Sequence, residues 1–350
     1  MKTIISTIAH DDTDDKIYQQ ASEILKNKGL VAFPTETVYG LGADALDSEA
    51  SAKIYAAKGR PSDNPLIVHI ADVQDLYRLS SDVNEAALKL AKAFWPGPLT
   101  MILKKSQIVP SSITGGLDTV AIRMPSHPVA HELIKKSGVY IAAPSANTSG
   151  KPSPTRAKHV IHDMDGRIDM IIADDTVDIG VESTIVDVST DMPTILRPGF
   201  ITLEQVKDVL GKAMMDPAIM ESVPDGVIPK APGMKYKHYA PNAQITIVRG
   251  EQAKVAETIR AKAAQAVKDG AKVAVMASTE NISLYDGFDV VDMGSRFDEA
   301  QEARNLFAVL REFDENGVNV VYSESFPTDN VGQAVMNRLI KAAGHMIIDV

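Results

Sequence analysis

The chain has 350 residues, 45% of them hydrophobic and 23% charged, and no cysteine, which excludes disulfides, Cys-ligated zinc, iron–sulfur clusters and a cysteine nucleophile. Lys plus Arg number 36 against 46 Asp plus Glu, a net charge of −10, so a polyanion must be gripped by a local cluster of cations rather than by the global field. At about 100–200 residues per domain the length predicts two domains, each able to bury a core unaided.

The opening MKTIISTIAHDDTDD turns acidic after too short an apolar run for a signal peptide, and no stretch offers about 18 uninterrupted apolar residues, so a cytoplasmic protein is expected. Apolar periodicity then predicts a helix near 15–28 stopped by Gly29, a strand at 30–33, a helix near 48–57, a strand at 66–70 and a helix at 84–94 ended by Trp95-Pro96-Gly97-Pro98. Strands at 99–103, 119–123, 139–143, 168–173, 184–188 and 193–196 follow with few helices among the last three, which breaks βα alternation and predicts adjacent antiparallel strands. A helix near 202–212 precedes a stretch from Met214 to Asn242 with five prolines and two glycines, which reads as a linker. Beyond it, strands at 244–248, 272–276, 289–292 and 318–322 alternate with helices at 251–268, 299–313 and 329–344, the pattern of a three-layer α/β unit on a parallel sheet. The expected organisation is a mixed-sheet α/β domain over 1–205, a linker over 206–243 and a smaller Rossmann-like domain over 244–350.

Neither common phosphate loop is present: there is no G-x-x-x-x-G-K-[ST], and Gly40-Leu41-Gly42 does not complete G-x-G-x-x-G. A nucleotide would have to be held by scattered side chains and backbone amides. The densest polar group is Lys58-Gly59-Arg60-Pro61-Ser62-Asp63-Asn64-Pro65, between a helix end and a strand start. It reads either as an anion clamp, a point charge beside a planar fork, or as two cations complementing a helix dipole. After the strand at 139–143 comes Pro144-Ser145-Ala146-Asn147-Thr148-Ser149-Gly150, a tight polar turn or a ligand-approaching backbone with hydroxyl and amide donors. In Pro34-Thr35-Glu36-Thr37-Val38-Tyr39, strand alternation would put Thr35, Thr37 and Tyr39 on one face, as a polar cleft wall or an ordinary solvent-facing side. Arg123, Glu182-Ser183-Thr184 and Arg197-Pro198-Gly199 mark further strand ends, and His69 lies mid-strand. His127 and His131, like His159 and His162, have helical spacing but no accompanying Glu as in H-E-x-x-H, so no metal site is expected from them. No G-x-S-x-G nucleophile elbow occurs.

Taken in order, Pro34–Leu41, Lys58-Gly59-Arg60-Pro61 with Asn64-Pro65-Leu66, Pro144-Ser145-Ala146-Asn147, Ser183-Thr184 and Arg197-Pro198-Gly199 resemble the YrdC-like family with its K-x-R…S-x-N pattern. Pro232–Pro241 resembles the linker of the two-domain members, which are threonylcarbamoyl-AMP synthases. The resemblance implies a concave YrdC fold and the conversion of L-threonine, bicarbonate and ATP into threonylcarbamoyl-AMP and pyrophosphate, for modification of adenosine 37 in tRNAs reading ANN codons. It implies ATP contacts at Lys58, Ser62, Thr119, Ser145, Asn147, Ser153 and Arg197, with catalytic roles for Lys58 and Arg60. It implies threonine contacts at Thr35, His69, Arg123, Ala143 (through its backbone) and Ser183. Mg²⁺ would travel with ATP, without a protein cage, and a tRNA-modifying transferase complex would act downstream. Tyr236, His238 and Tyr239 could form a lid that shields the anhydride product from water, the first two reaching ATP; a passive tether is the alternative. An RNA-binding module is the competing reading, against which residues 1–205 hold 20 Lys plus Arg and 26 Asp plus Glu, so stable tRNA binding is not expected. The C-terminal unit shows no ligand motif, and a regulatory or a partner-binding role remains open for it.

Overall fold

A computed structural model describes residues 2–174, 177–219 and 239–350. The chain divides into two compact units, one of Met1–Ser149 and Ser153–Lys235, the other of Gly150–Pro152 and Tyr236–Val350.

The first unit opens with β1 (Ile4–Thr7), α1 (Asp14–Lys26), β2 (Val31–Phe33), β3 (Gly40–Asp44) and α2 (Ser48–Lys58). Asp47 caps α2 by accepting from Glu49 N and Ala50 N, and Gly59 ends it with φ 62°, which fixes Lys58 at the last helical position. Next come β4 (Ile67–His69), α3 (Leu76–Leu79), α4 (Glu85–Phe94), β5 (Leu99–Lys104), α5 (Ser111–Thr114), β6 (Thr119–Arg123), α6 (Pro128–Ser137) and β7 (Ile141–Ala142). The unit closes with α7 (Ala157–Met164), β8 (Met170–Ala173), β9 (Thr184–Asp187), β10 (Thr194–Arg197), α8 (Leu203–Leu210) and β11 (Met214–Met215). A Thr202/Gln205 capping box starts α8.

All eleven strands join one mixed sheet in the order β1-β8-β2-β3-β7-β4-β6-β5-β9-β10-β11. Of the strands where the alternation broke, β9 and β10 are the expected antiparallel neighbours, whereas β8 pairs in parallel with β1 and β2; β2 with β3 and β5 with β6 are further antiparallel pairs. Side chains alternate across it. Val68, Ile122, Met101 and Val186 turn to one face, where α2, α4, α7 and α8 complete the main core. On the other face α1 and α6 pack over β2, β7 and β8. Further along that second face the buried cluster Ile67, Ile102, Ala121, Ile185 and Leu196 consists of strand residues alone. This apolar floor carries the site described below.

Part of the segment read as linker has regular structure. Residues 206–219 include most of α8, then β11, which pairs in parallel with β10, and a 3₁₀ turn at Pro217–Ile219.

The second unit contains β12 (Gln244–Arg249), α9 (Gln252–Lys268), β13 (Val273–Ala277), β14 (Asp289–Asp292), α10 (Glu299–Glu315), β15 (Val320–Glu324), α11 (Gly332–Ala342) and β16 (Ile347–Asp349). Its sheet runs β14-β13-β15-β12-β16 with every pair parallel, as the alternation predicted, β16 being the strand not foreseen. Ligands of such sheets sit at the carboxyl ends of strands. At that end of β13 and β15, Glu324 is buried and accepts from Ser278, Asn281, Tyr285 and Gln252, so those polar groups satisfy one another.

Candidate active site

Strand pairing builds the site. Ile141 of β7 opposes His69, His69 opposes Arg123, Arg123 opposes Thr100, Thr100 opposes Ile185, and Ile185 opposes Arg197 across a register shift that leaves Leu196 as an extra residue in β10. Directly opposed residues share a face, so this row crosses six strands on the side of the apolar floor.

Hydrogen bonds join the row to the loops at its ends. Arg123 is buried; its NH1 donates to Thr37 Oγ1 at 2.9 Å, its Nε to Gly97 O at 3.4 Å, and its NH2 lies 2.7 Å from Glu36 Oε1. Thr37 Oγ1 meets Thr35 Oγ1 at 2.9 Å, and Thr35 Oγ1 donates to Val38 O at 2.6 Å. Thr100 Oγ1 meets Ser183 Oγ at 2.7 Å, and Arg197 donates to Ser183 O at 3.0 Å and to Ser183 Oγ at 3.1 Å. Gly199 permits that last contact, because a Cβ there would stand 2.4 Å from Thr184 N and 2.8 Å from the Ser183 carbonyl carbon.

Burial opposes ionisation of Glu36, but the Arg123 guanidinium outweighs it and holds the carboxyl below its usual range. His69 is driven the other way: burial first, then the Arg123 charge, pushes its imidazole down to about 3 from 6.5. Its Nδ1 lies 3.1 Å from Ile67 O, a carbonyl that can only accept. His69 is therefore a neutral polar group at pH 7. Between pH 6.5 and about 3 the unfolded chain binds a proton at this position that the folded chain does not. Folding stability is thus complete above pH 6.5 and is lost as pH falls. Urea midpoints of the protein and of His69→Asn, compared from pH 7.5 to 5, should show wild-type stability declining more steeply, by up to about 1.4 kcal/mol per pH unit.

A second group is built on the chain that leaves β7. Since β7 runs antiparallel to β4, the chain leaving it, with Ala143 N donating to Ile67 O at 2.9 Å, heads from the Arg123 end of β6 toward the Thr119 end. There Lys58, buried at the end of α2, donates to Ser145 O and, at 2.6 Å, to Asn147 O, and Ser149 N returns a bond to Lys58 O at 2.9 Å. Ser145 is half-buried and bridges Gly40 of β3, and Asn147 is buried with its Nδ2 donating to Thr148 O at 2.7 Å. Arg60 is half-buried, with NH2 donating to Asn64 O at 3.4 Å and Pro65 O at 3.2 Å. Together with the exposed Ser62 it lines a cavity of about 390 Å³ that also includes Tyr55, Gly59 and Ser112. Thr119 is half-buried at the far end of β6, roughly 13 Å along the strand from Arg123. Ser153 is buried and donates to Glu182 Oε1 at 2.6 Å, next to Ser183.

Thr35, His69, Arg123, Ala143, Ser183 and Arg197 thus meet around one row, and Lys58, Ser145 and Asn147 form a second cluster beside it. Residues 34–39 are not a strand, so the expected shared face of Thr35, Thr37 and Tyr39 does not arise. Thr35 and Thr37 meet through a turn, whereas Tyr39 is fully buried in the core and its hydroxyl donates to Asp174 O. Tyr236 and His238 lie outside the described residues. Tyr239 is buried in the second unit against Phe307, with ring centroids 5.2 Å apart. His127 caps α6 by accepting from Val129 N, and His159 accepts from Thr155 N, structural tasks for both. Thr100 and the pairing of Glu36 with Arg123 were not singled out from sequence; a lone polar residue in the apolar run of β5 was the available signal for the first.

Comparison with known proteins adds the following. The family model described as telomere recombination matches residues 23–199, and that described as threonylcarbamoyl-AMP synthase, C-terminal domain, matches residues 201–344. The threonylcarbamoyl-AMP synthase of Pyrococcus abyssi is 49% identical over 348 residues, covering 99% of this chain and 100% of that protein. That of Bacillus subtilis is 48% identical over 337 residues, 96% of this chain and 95% of its own. The crystal structure of P. abyssi Sua5 complexed with L-threonine matches with a TM-score of 0.92 at 46% identity, covering 100% of both chains.

Proposed function

Since the chain belongs to the two-domain threonylcarbamoyl-AMP synthase family, we propose that its row of strand-borne polar groups binds L-threonine and that the neighbouring Lys58 cluster binds ATP. The reaction is the formation of L-threonylcarbamoyl-AMP and pyrophosphate from L-threonine, bicarbonate or CO₂, and ATP. The threonine ammonium group first gives a proton to water; the free amine adds to CO₂ to give a carbamate and a second proton, and a carbamate oxygen then bonds to the α-phosphorus as the bond to pyrophosphate breaks. No protein nucleophile enters, so the chain contributes orientation and charge neutralisation.

Arg123 takes the α-carboxylate, while Thr35, Ser183 and the neutral His69 surround the rest of the amino acid. Ala143 offers its backbone. Lys58, Arg60 and Arg197 supply the local cations that a protein of net charge −10 needs for a polyphosphate, with Ser62, Thr119, Ser145, Asn147 and Ser153 as polar contacts. Among the described residues no group of three or more His, Asp or Glu side chains is placed to hold a metal ion. Glu36 lies against Arg123 and Glu182 accepts from Ser153, so the oxygen ligands of Mg²⁺ would come mainly from the nucleotide phosphates, where it would offset charge on the departing pyrophosphate. No described helix is long and apolar enough to cross a membrane. The product is a mixed anhydride, and we place its consumer in a transferase system that acts on adenosine 37 of tRNAs reading ANN codons, in the cytoplasm.

The observation that carries this reading is the row of opposed residues His69, Arg123, Thr100, Ile185 and, across the β10 bulge, Arg197. It is tested by supplying labelled bicarbonate, ATP and one amino acid at a time. Label should enter an adenylate, and pyrophosphate should appear, only with threonine; release that ignores the amino acid would refute it.

A further inference from the structure

Glu36 is 5% exposed; its own backbone N–H and that of Ser126 lie near the carboxylate, but neither oxygen receives a well-formed hydrogen bond. Arg123 NH2 stands 2.7 Å from Oε1 as its ion-pair partner. Arg123 spends one NH1 proton on Thr37 and its Nε–H on Gly97, which leaves guanidinium N–H groups for a ligand carboxylate. Glu182 differs, since it accepts from Ser153 Oγ. A buried carboxylate whose nearby donors are poorly aligned is costly and gains from a ligand that supplies a better one.

An α-amino acid brings a carboxylate and an ammonium group on adjacent atoms, and both need a counter-charge once removed from water. Arg123 and Glu36 present a guanidinium and a carboxylate side by side in the same buried place. We propose that Glu36 accepts the α-ammonium group of the substrate, so that Arg123 and Glu36 read the zwitterion as a pair; this rests on the threonine reading given above. The pair then selects α-amino acids over hydroxy acids of the same shape, and it fixes the direction of the nitrogen before carbamate formation.

The test is calorimetric binding of two ligands to the full chain: L-threonine, and 3-hydroxybutyrate, which keeps the carboxylate, hydroxyl and methyl groups but lacks the amine. Wild type should prefer threonine by about 10–100-fold, the scale of a charged hydrogen bond. Glu36→Gln should weaken threonine by a similar factor and leave 3-hydroxybutyrate within about threefold, with Glu36→Asp intermediate. Equal affinities of the unsubstituted protein for the two ligands overturn the proposal without any variant. Equal weakening of both by Glu36→Gln also overturns it, because Glu36 would then act only by positioning Arg123. A wild-type chain that binds neither ligand defeats the threonine reading itself, which the other outcomes leave intact.

Discussion

Replacing Lys58 by alanine is expected to lower threonine-dependent pyrophosphate release by at least about 10²-fold, the scale of losing one pre-organised contact to the transition state. The ammonium group is buried and donates to the carbonyls of Ser145 and Asn147, so it fastens the strand-end loop in addition to bringing charge. Its removal leaves those two carbonyls to find water in a buried place, a loss of about 1–3 kcal/mol in folding stability. Measured together, turnover and urea midpoint separate the two contributions. Arg60→Ala should reduce turnover into the same range, since its guanidinium braces the 60–66 loop through Asn64 O and Pro65 O. Turnover close to wild type in either variant would remove the anion clamp.

Arg123→Ala should be the most damaging single change to folding in the site. It strands the Glu36 carboxylate in the interior without its counter-charge, a loss of about 3–5 kcal/mol. Adding Glu36→Gln to that variant removes the stranded charge and should recover much of the stability while threonine binding stays abolished. Because the folded-state Glu36 pKa lies below its ordinary value of 4.5, the stability contributed by the pair is complete above that pH and is lost as pH falls further. A thermal midpoint of the double variant no higher than that of Arg123→Ala would show that Glu36 is not the stranded group.

Sequence periodicity located the strands that carry the site when their composition was β-branched, as in Thr119–Arg123 and Thr184–Asp187. It missed β3, because Gly40-Leu41-Gly42-Ala43-Asp44 has little strand propensity. Those glycines answer to packing: a Cβ on Gly42 would stand 2.7 Å from Ile141 and 2.8 Å from Phe33. The strand read over 139–143 shortens to Ile141–Ala142, and β1 at Ile4–Thr7, read only as an apolar opening, is an edge strand against β8. What no single sequence displays is which strands become neighbours. Arg123 and Arg197 are visible as strand-end cations, but their places three strands apart in one row follow from the order β6-β5-β9-β10. The family motifs named nearly all the residues that meet there; the partners Thr100 and Glu36 emerged only from pairing and burial.

The register across β7, β4, β6, β5, β9 and β10 also bears on how such a chain can diverge. Inserting or deleting one residue within β7, β4, β6, β5 or β9 would rotate its binding group to the opposite side of the sheet, whereas β10 already holds one extra residue in the bulge that brings Arg197 to the row, so a length change in these strands needs such a bulge to absorb it. Altered amino-acid preference is therefore reached by point replacement at inward positions such as Ala121 or Ile185, and the lineage is held to substitution rather than uncompensated length change wherever it handles its substrate.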